Sequence, residues 1–206
     1  MTFTKPLHCD LGSARWARLA ALALLGVLLV LSTAREARSA AQDEMQVHAA
    51  YVINFVRYSR WPQVDDGPLV VSVLGTAENA NELRDLAARA GAINGRRLSV
   101  QLLPLASIPP GDAAAIRALH VSAASADVLY VGSSHRSWSR AVATAMAGRP
   151  VLTVGPGRHF VSSGGMFGLY LDQGHVRFAV NAPAVKASSV DISARLLMLA
   201  RPAAGN

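Results

Sequence analysis

The sequence predicts an α/β protein: a single domain with a mixed sheet, largely parallel in its core, flanked by helices and completed by a C-terminal β-hairpin plus helix. Three observations carry this. Short, continuous apolar runs rich in β-branched residues recur at "PLVVSVLG", "ADVLYVGSS" and "RPVLTVG", the pattern of strands buried on both faces. Helical segments separate them, and strand–helix alternation favours parallel pairing through crossovers. Near the C-terminus the alternation stops. There "MFGLYL" and "HVRFAVN" flank Asp172, Gln173 and Gly174, which predicts a hairpin with a glycine-ended turn.

The N-terminus sets the compartment. Lys5, Arg15 and Arg18 precede the apolar run from Leu19 to Ala34, followed by the short polar stretch "REARSAAQ". This is the layout of a secretory signal, with Ser39 and Ala41 as the small residues before a cut at Gln42. The apolar run is shorter than the ~20 residues a spanning helix usually needs, so residues 1–41 are expected to be cleaved rather than to anchor. The remainder, 42–206, suits one domain. Of the twenty basic residues, Lys5, Arg15, Arg18, Arg35 and Arg38 leave with the signal; of the thirteen acidic ones, Asp10 and Glu36 leave. Fifteen against eleven gives a formal +4 for the exported part. Arg96 and Arg97 are its only adjacent basic pair and no aromatics interleave with them, so nucleic acid is not expected as a partner. Cys9 is the only cysteine and lies in the signal. The exported domain therefore has no disulfide, no thiolate ligand and no nucleophilic thiol.

Along the exported chain, "QDEMQVHAAYVINFVRYSRWP" opens with a helix. Asp43 and Glu44 suit its positive end, and Arg57 and Arg60 its negative end. Val47, Tyr51, Phe55 and Tyr58 share one stripe, broadened by Ala49, Val52 and Val56, and Pro62 stops it. A buried strand from Pro68 to Gly75 follows, then a helix capped by Thr76 and ended by Gly91. "GRRLSVQLLP" reads as a second strand and "PGDAAAIRALHVSA" as a short helix. "ADVLYVGSS" is a third strand, "RSWSRAVATAMAG" a helix ending at Gly148, and "RPVLTVG" a fourth strand. After a loop and the hairpin, "APAVKASSVDISARLLMLARP" is helical with a break at Ser188 and Ser189, residues better suited to caps than to helix interiors.

The loop and hairpin "HFVSSGGMFGLYLDQGHVRFAVN" contain a glycine pair open to several readings. A phosphate loop needs glycines that lead into a helix N-terminus, but a strand-like run follows Gly165. Ser162 and Ser163 lie near His159, yet no G-x-S-x-G elbow is present. His48, His120, His135 and His175 show no zinc spacing, and the paired carboxylates Asp65 and Asp66 sit in a turn. No catalytic, metal or cofactor residue is assigned. Gly164 and Gly165 are read as shaping the path into Met166.

The ordered set "AAYVINFVRYSRWP", "VVSVLG", "INGRRLSV", "ADVLYVGSS", "VLTVG…HFVSSGGM" and "VRFAVN…DISARLLMLA" resembles the YfiR-like family (the DUF4154 domain) over nearly the whole exported chain. The most specific matches are Phe55 with Trp61-Pro62, Phe160 with Gly164-Gly165-Met166, and Asn181 with Leu196-Leu197. The resemblance implies a non-catalytic periplasmic regulator involved in cyclic-di-GMP signalling and biofilm formation. Such a protein binds the periplasmic sensor region of an inner-membrane diguanylate cyclase, or another membrane sensor protein, and represses it. It also implies a homodimer and sequestration by an outer-membrane lipoprotein. Members often carry cysteines in the domain, one just before the "VLYVG"-type strand. Here Ser125, Ala126 and Asp127 occupy that neighbourhood, so redox control through a disulfide is not available.

The expected partner surface is the stretch from His159 to Arg177. Phe160, Met166 and Phe167 are apolar groups of the hot-spot kind; the alternative is that Phe160, Phe167 and Phe178 fill the core beneath the hairpin. His175 and Arg177 form a polar rim, and Arg177 can hold a carboxylate in two hydrogen bonds. Arg57 and Tyr58 are the second candidate surface. The alternative function is a periplasmic small-solute-binding module, with its ligand at the carboxyl ends of the strands near Ser133, Ser134 and His135, and near Arg158 and His159.

Overall fold

The computed structural model describes residues 42–62, 67–105, 108–111 and 113–201. The expected signal, 1–41, and the Asp65-Asp66 turn lie outside them. The described residues from Glu44 onward belong to one compact unit. Among the described residues no helix is long and apolar enough to cross a membrane.

Helix α1 spans 42–57 and leads through Tyr58 into a two-residue strand, β1 (Ser59–Arg60). The alternation then follows: β2 (Leu69–Leu74), α2 (Ala77–Ala90), β3 (Leu98–Leu102), α3 (Ala113–Ser122) and β4 (Val128–Val131). A 3-10 segment, Ser133–Trp138, precedes α4 (Ser139–Met146), β5 (Leu152–Pro156) and α5 (Gly157–Ser162). The hairpin is β6 (Phe167–Asp172) and β7 (His175–Val180). The chain finishes with α6 (Ala182–Ala187), β8 (Asp191–Ile192) and α7 (Ala194–Leu199).

The main sheet has the order β3-β2-β4-β5-β6-β7. The five strands β2 to β6 pair in parallel, and only β7 runs antiparallel, against β6. The fold is therefore the expected α/β arrangement with a mixed, mostly parallel sheet. β1 and β8 form a second, two-stranded antiparallel sheet, pairing Ser59 with Ile192 and Arg60 with Asp191. The sequence reading had no strand at either place, because two-residue strands carry no periodicity.

The sheet separates two cores. One lies under α1 and α2, with Val185 and Leu196 added from the C-terminal helices. Its centre is aromatic: Phe55 stacks on Phe167 at 4.6 Å and meets Phe178 edge-on at 5.1 Å, with Tyr51 at 6.0 Å from Phe178. The other core lies under α3, α4 and α5 and contains Leu119, Leu129, Trp138, Val142 and Phe160. The buried face of α1 keeps Phe55, Ala49, Val52 and Val56 of the expected stripe, gains Ile53 and loses two members. Val47 and Tyr58 are exposed at 40% and 45%, while Ala49, Val52, Ile53, Phe55 and Val56 are buried. Tyr51 sits at the rim, where its hydroxyl donates to Val176 O at 2.8 Å.

His48 is buried on the same helix. Its Nδ1 lies 3.4 Å from the Tyr130 hydroxyl and its Nε2 3.7 Å from Glu44 Oε1. Burial pushes its pKa below the ordinary histidine value, and the Glu44 carboxylate only partly opposes that. Burial likewise raises the pKa of the Tyr130 phenol, so this pair meets as neutral groups.

Candidate functional site: the face of the terminal hairpin

The segment expected to be a loop, from His159 to Gly165, begins as the last turn of α5. Phe160 and Val161 point into the core. The two glycines then have separate tasks. Gly164 has φ +106°, a conformation that side chains rarely adopt. Gly165 lies against the Phe160 ring, as does Gly155 from β5, so a Cβ at either would overlap the ring. The amides of Gly164 and Gly165 donate to Val161 O and Phe160 O, each at 3.0 Å. The glycine pair thus closes a short helix onto a fully buried phenylalanine and delivers the chain into β6.

This corrects the expected surface. Phe160, Met166 and Phe167 are 0%, 3% and 0% exposed and cannot touch a partner. A six-residue helix is too short to show a periodicity that separates its buried side from its outer one, and Phe167 belongs to the ring cluster beneath α1.

The polar members of the set fare differently. In the hairpin, Tyr170 pairs with Arg177 and Asp172 with His175, so these four side chains share one face of the ribbon. Arg158, from α5, lies over the Tyr170 ring at 4.1 Å and donates to its hydroxyl at 2.8 Å. His175, Arg177 and Asp172 are exposed, and His175 Nδ1 is 3.0 Å from Gln173 O. His159 is exposed on α5 next to Arg158, with Nε2 3.3 Å from Ser163 Oγ. The result is a surface with two guanidiniums on either side of a tyrosine, rimmed by imidazoles. Planar guanidinium groups suit bidentate contact with carboxylates. Sequence reasoning put Arg158 with the solute-binding alternative and missed Tyr170. The signal available was the period-2 register of the hairpin, which sets Tyr170 opposite Arg177.

Arg57 and Tyr58 are exposed but stand apart from this face. α1 crosses the opposite side of the hairpin, where Tyr51 reaches Val176 and Phe55 reaches Phe167. The helix therefore ends beyond the root of the hairpin, beside β1 and β8. There Tyr58 O accepts from Ser193 N at 2.9 Å.

The carboxyl ends of the parallel strands are the other place to look for chemistry. The strand order reverses between β2 and β4, the position where open α/β sheets usually form a ligand crevice. Here Asn79 fills it. A Cβ on Gly75, after β2, or on Gly132, after β4, would lie 2.6 Å from Asn79 Oδ1. The same oxygen accepts from Thr76 N at 3.0 Å, and Thr76 Oγ1 accepts from Asn79 N at 3.3 Å. This reciprocal cap satisfies the first turn of α2 with the chain's own side chains. Ser134 and His135, expected near such a ligand, bond to each other at 2.9 Å. Ser162 Oγ donates to His159 O at 3.1 Å, so its proton is directed to the main chain and not to an imidazole base. Among the described residues no three His, Cys, Asp or Glu side chains gather as metal ligands.

The profile of the YfiR/HmsC-like family, DUF4154, matches residues 45–201. No curated protein sequence matches the chain significantly. The residues that carry the family pattern have structural tasks. Phe55 and Phe160 are core. The Trp61 indole donates to Asp127 O at 3.1 Å. Asn181 Oδ1 caps α6 by accepting from Ala184 N at 3.1 Å, and its amide donates to Val161 O at 3.2 Å. These residues of the resemblance therefore serve the scaffold, and the match runs on through the hairpin.

Proposed function

Because this chain belongs to the YfiR/HmsC-like family, we propose that it is a non-catalytic periplasmic regulator, exported by the segment 1–41. In this reading it binds the periplasmic sensor region of an inner-membrane signalling protein, a diguanylate cyclase, and holds it inactive. The contact surface is the outer face of the hairpin with the exposed side of α5: Arg158, His159, Tyr170, His175 and Arg177. The observation that supports it is the Arg158–Tyr170–Arg177 arrangement, which sets two guanidiniums on one face of the hairpin. The filled crevice at Asn79 favours a protein partner over a small solute. Homodimerisation and sequestration by an outer-membrane lipoprotein belong to the same reading, as the family resemblance implies.

The test replaces His159 and Arg177 with Ala, checks that melting is unchanged, and measures both binding to the sensor region and cellular cyclic-di-GMP. Truncating an interface arginine of hot-spot quality costs about 2 kcal/mol or more, roughly a 30-fold loss of affinity, so cyclic-di-GMP should rise. Full repression with parental affinity moves the surface to Arg57 and Tyr58.

A further inference from the structure

The two edges of the main sheet are treated differently. Beyond β7 the chain returns as a strap: Arg201 bridges to Ala179, and its N–H donates to Phe178 O at 3.0 Å. Among the described residues no strand pairs with the outer side of β3. Leu69 N donates to Arg97 O and Leu103 N to Val73 O, each at 2.8 Å, so the odd-numbered residues bond inward to β2. The main-chain groups of Leu98, Val100 and Leu102 therefore point away from the sheet.

Natural proteins blunt such an edge with lysine, proline or a bulge. The strand LSVQL has none of these, and its register with β2 runs unbroken from Leu69↔Leu98 to Val73↔Leu102. A groove of about 410 Å³ lies beside it, floored by Ala87, Ala88, Leu98 and Val100, with Arg84 and Arg97 on its walls. Arg84 Nε donates to Val100 O at 3.3 Å, so a guanidinium already marks the middle of the edge.

We propose that this edge accepts an extended, acidic segment of another protein as an added strand. Main-chain bonds to Leu98, Leu102 and the Val100 N–H would supply affinity, the Val100 carbonyl being taken by Arg84, with alternate side chains entering the groove. Arg84 and Arg97, both exposed, would pair with carboxylates on the added strand. A second copy of β3 is the poorer occupant, because pairing about Val100 would bring two Arg84 side chains together. β3 and the hairpin are opposite edges of the sheet, so this contact is independent of the reading of the hairpin face.

The probes are two acetylated eight-residue peptides, one alternating valine with glutamate and one alternating valine with lysine. Binding to the exported protein is followed by fluorescence anisotropy and by amide exchange at Leu98, Val100 and Leu102. The glutamate peptide should bind and slow exchange at these amides about tenfold or more, while the lysine peptide should not. Arg84→Glu with Arg97→Glu, melting unchanged, should weaken binding at least about tenfold, the effect of one lost charge-assisted contact. Equal binding of both peptides, or unaltered exchange at these three amides, overturns the proposal. So does protection that appears without peptide as protein concentration rises, which is self-pairing.

Discussion

The contact between Phe160 and Gly165 can be dissected quantitatively. Phe160 is fully buried, so Phe160→Ala should cost about 3–5 kcal/mol. Gly165→Ala places a methyl inside the ring's volume, and overpacking of this kind costs about 1–3 kcal/mol. If the two sites were independent, the double variant would lose the sum, about 4–8 kcal/mol. They are not independent in this structure, since the methyl at 165 enters the space the ring has left. The double variant should be no less stable than Phe160→Ala alone, giving a coupling of about 1–3 kcal/mol in the rescuing direction, well above the ~0.5 kcal/mol scatter of additive pairs. Gly164→Ala is the internal control. Its cost arises from the backbone at φ +106° and should persist when Phe160 is removed. Urea unfolding followed by tryptophan fluorescence gives all these values. Additivity at Phe160/Gly165, or equal rescue at Gly164, would refute the separate tasks assigned to the two glycines.

Phe55 joins α1 to the hairpin through Phe167 and Phe178. Phe55→Ala should therefore lose about 3–5 kcal/mol, read as a melting temperature lower by roughly 10 °C; parental melting would place the helix elsewhere. His48 gives a pH dependence. Its folded pKa lies below the unfolded value of 6.5, so the unfolded chain takes up a proton first. Stability present above pH 6.5 is then lost as pH falls towards the folded pKa, by at most about 1.4 kcal/mol per pH unit. His48→Gln should flatten that slope between pH 7 and 5, and identical slopes in urea titrations would show that His48 does not contribute. The exported protein should have the intact mass of the chain from Gln42, and reductant should leave its melting unchanged; a mass retaining residues before Ala40 contradicts cleavage there.

The strands were legible because LVVSVL and VLYV are apolar on both faces, and nothing but a sheet interior hides both sides of so short a run. The hairpin was legible from its turn residues. The face of α1 was legible in Phe55, Ala49, Val52 and Val56, whereas Val47 and Tyr58 of the same stripe are exposed and Ile53, which lay off it, is buried. Aromatic residues with polar tips gravitate to rims, so spacing alone cannot rank them against small neighbours. Of the residues the sequence offered for the candidate site, His159, His175 and Arg177 are exposed, while Phe160, Met166 and Phe167 take the alternative place in the core. Whether a phenylalanine near two glycines faces water depends on what passes over it, here β5 and β6, and that is a tertiary fact. Asn79 was missed because T-x-x-N is a weak form of the capping pattern. Its second task, filling the gap between Gly75 and Gly132, depends on strands that are distant in sequence.

The small β1–β8 sheet and the ring cluster bear on the order in which the chain can acquire its shape. α1 is made first, yet its buried face is covered by Phe167 and Phe178, and Ser59 waits for Ile192. A chain emerging amino end first thus cannot complete the cover of its opening helix until Phe178 and Ile192, in the last seventh of the sequence, have appeared. Contacts between such distant residues form slowly. In the export proposed above, that order would leave final closure to the compartment in which the carboxyl end arrives.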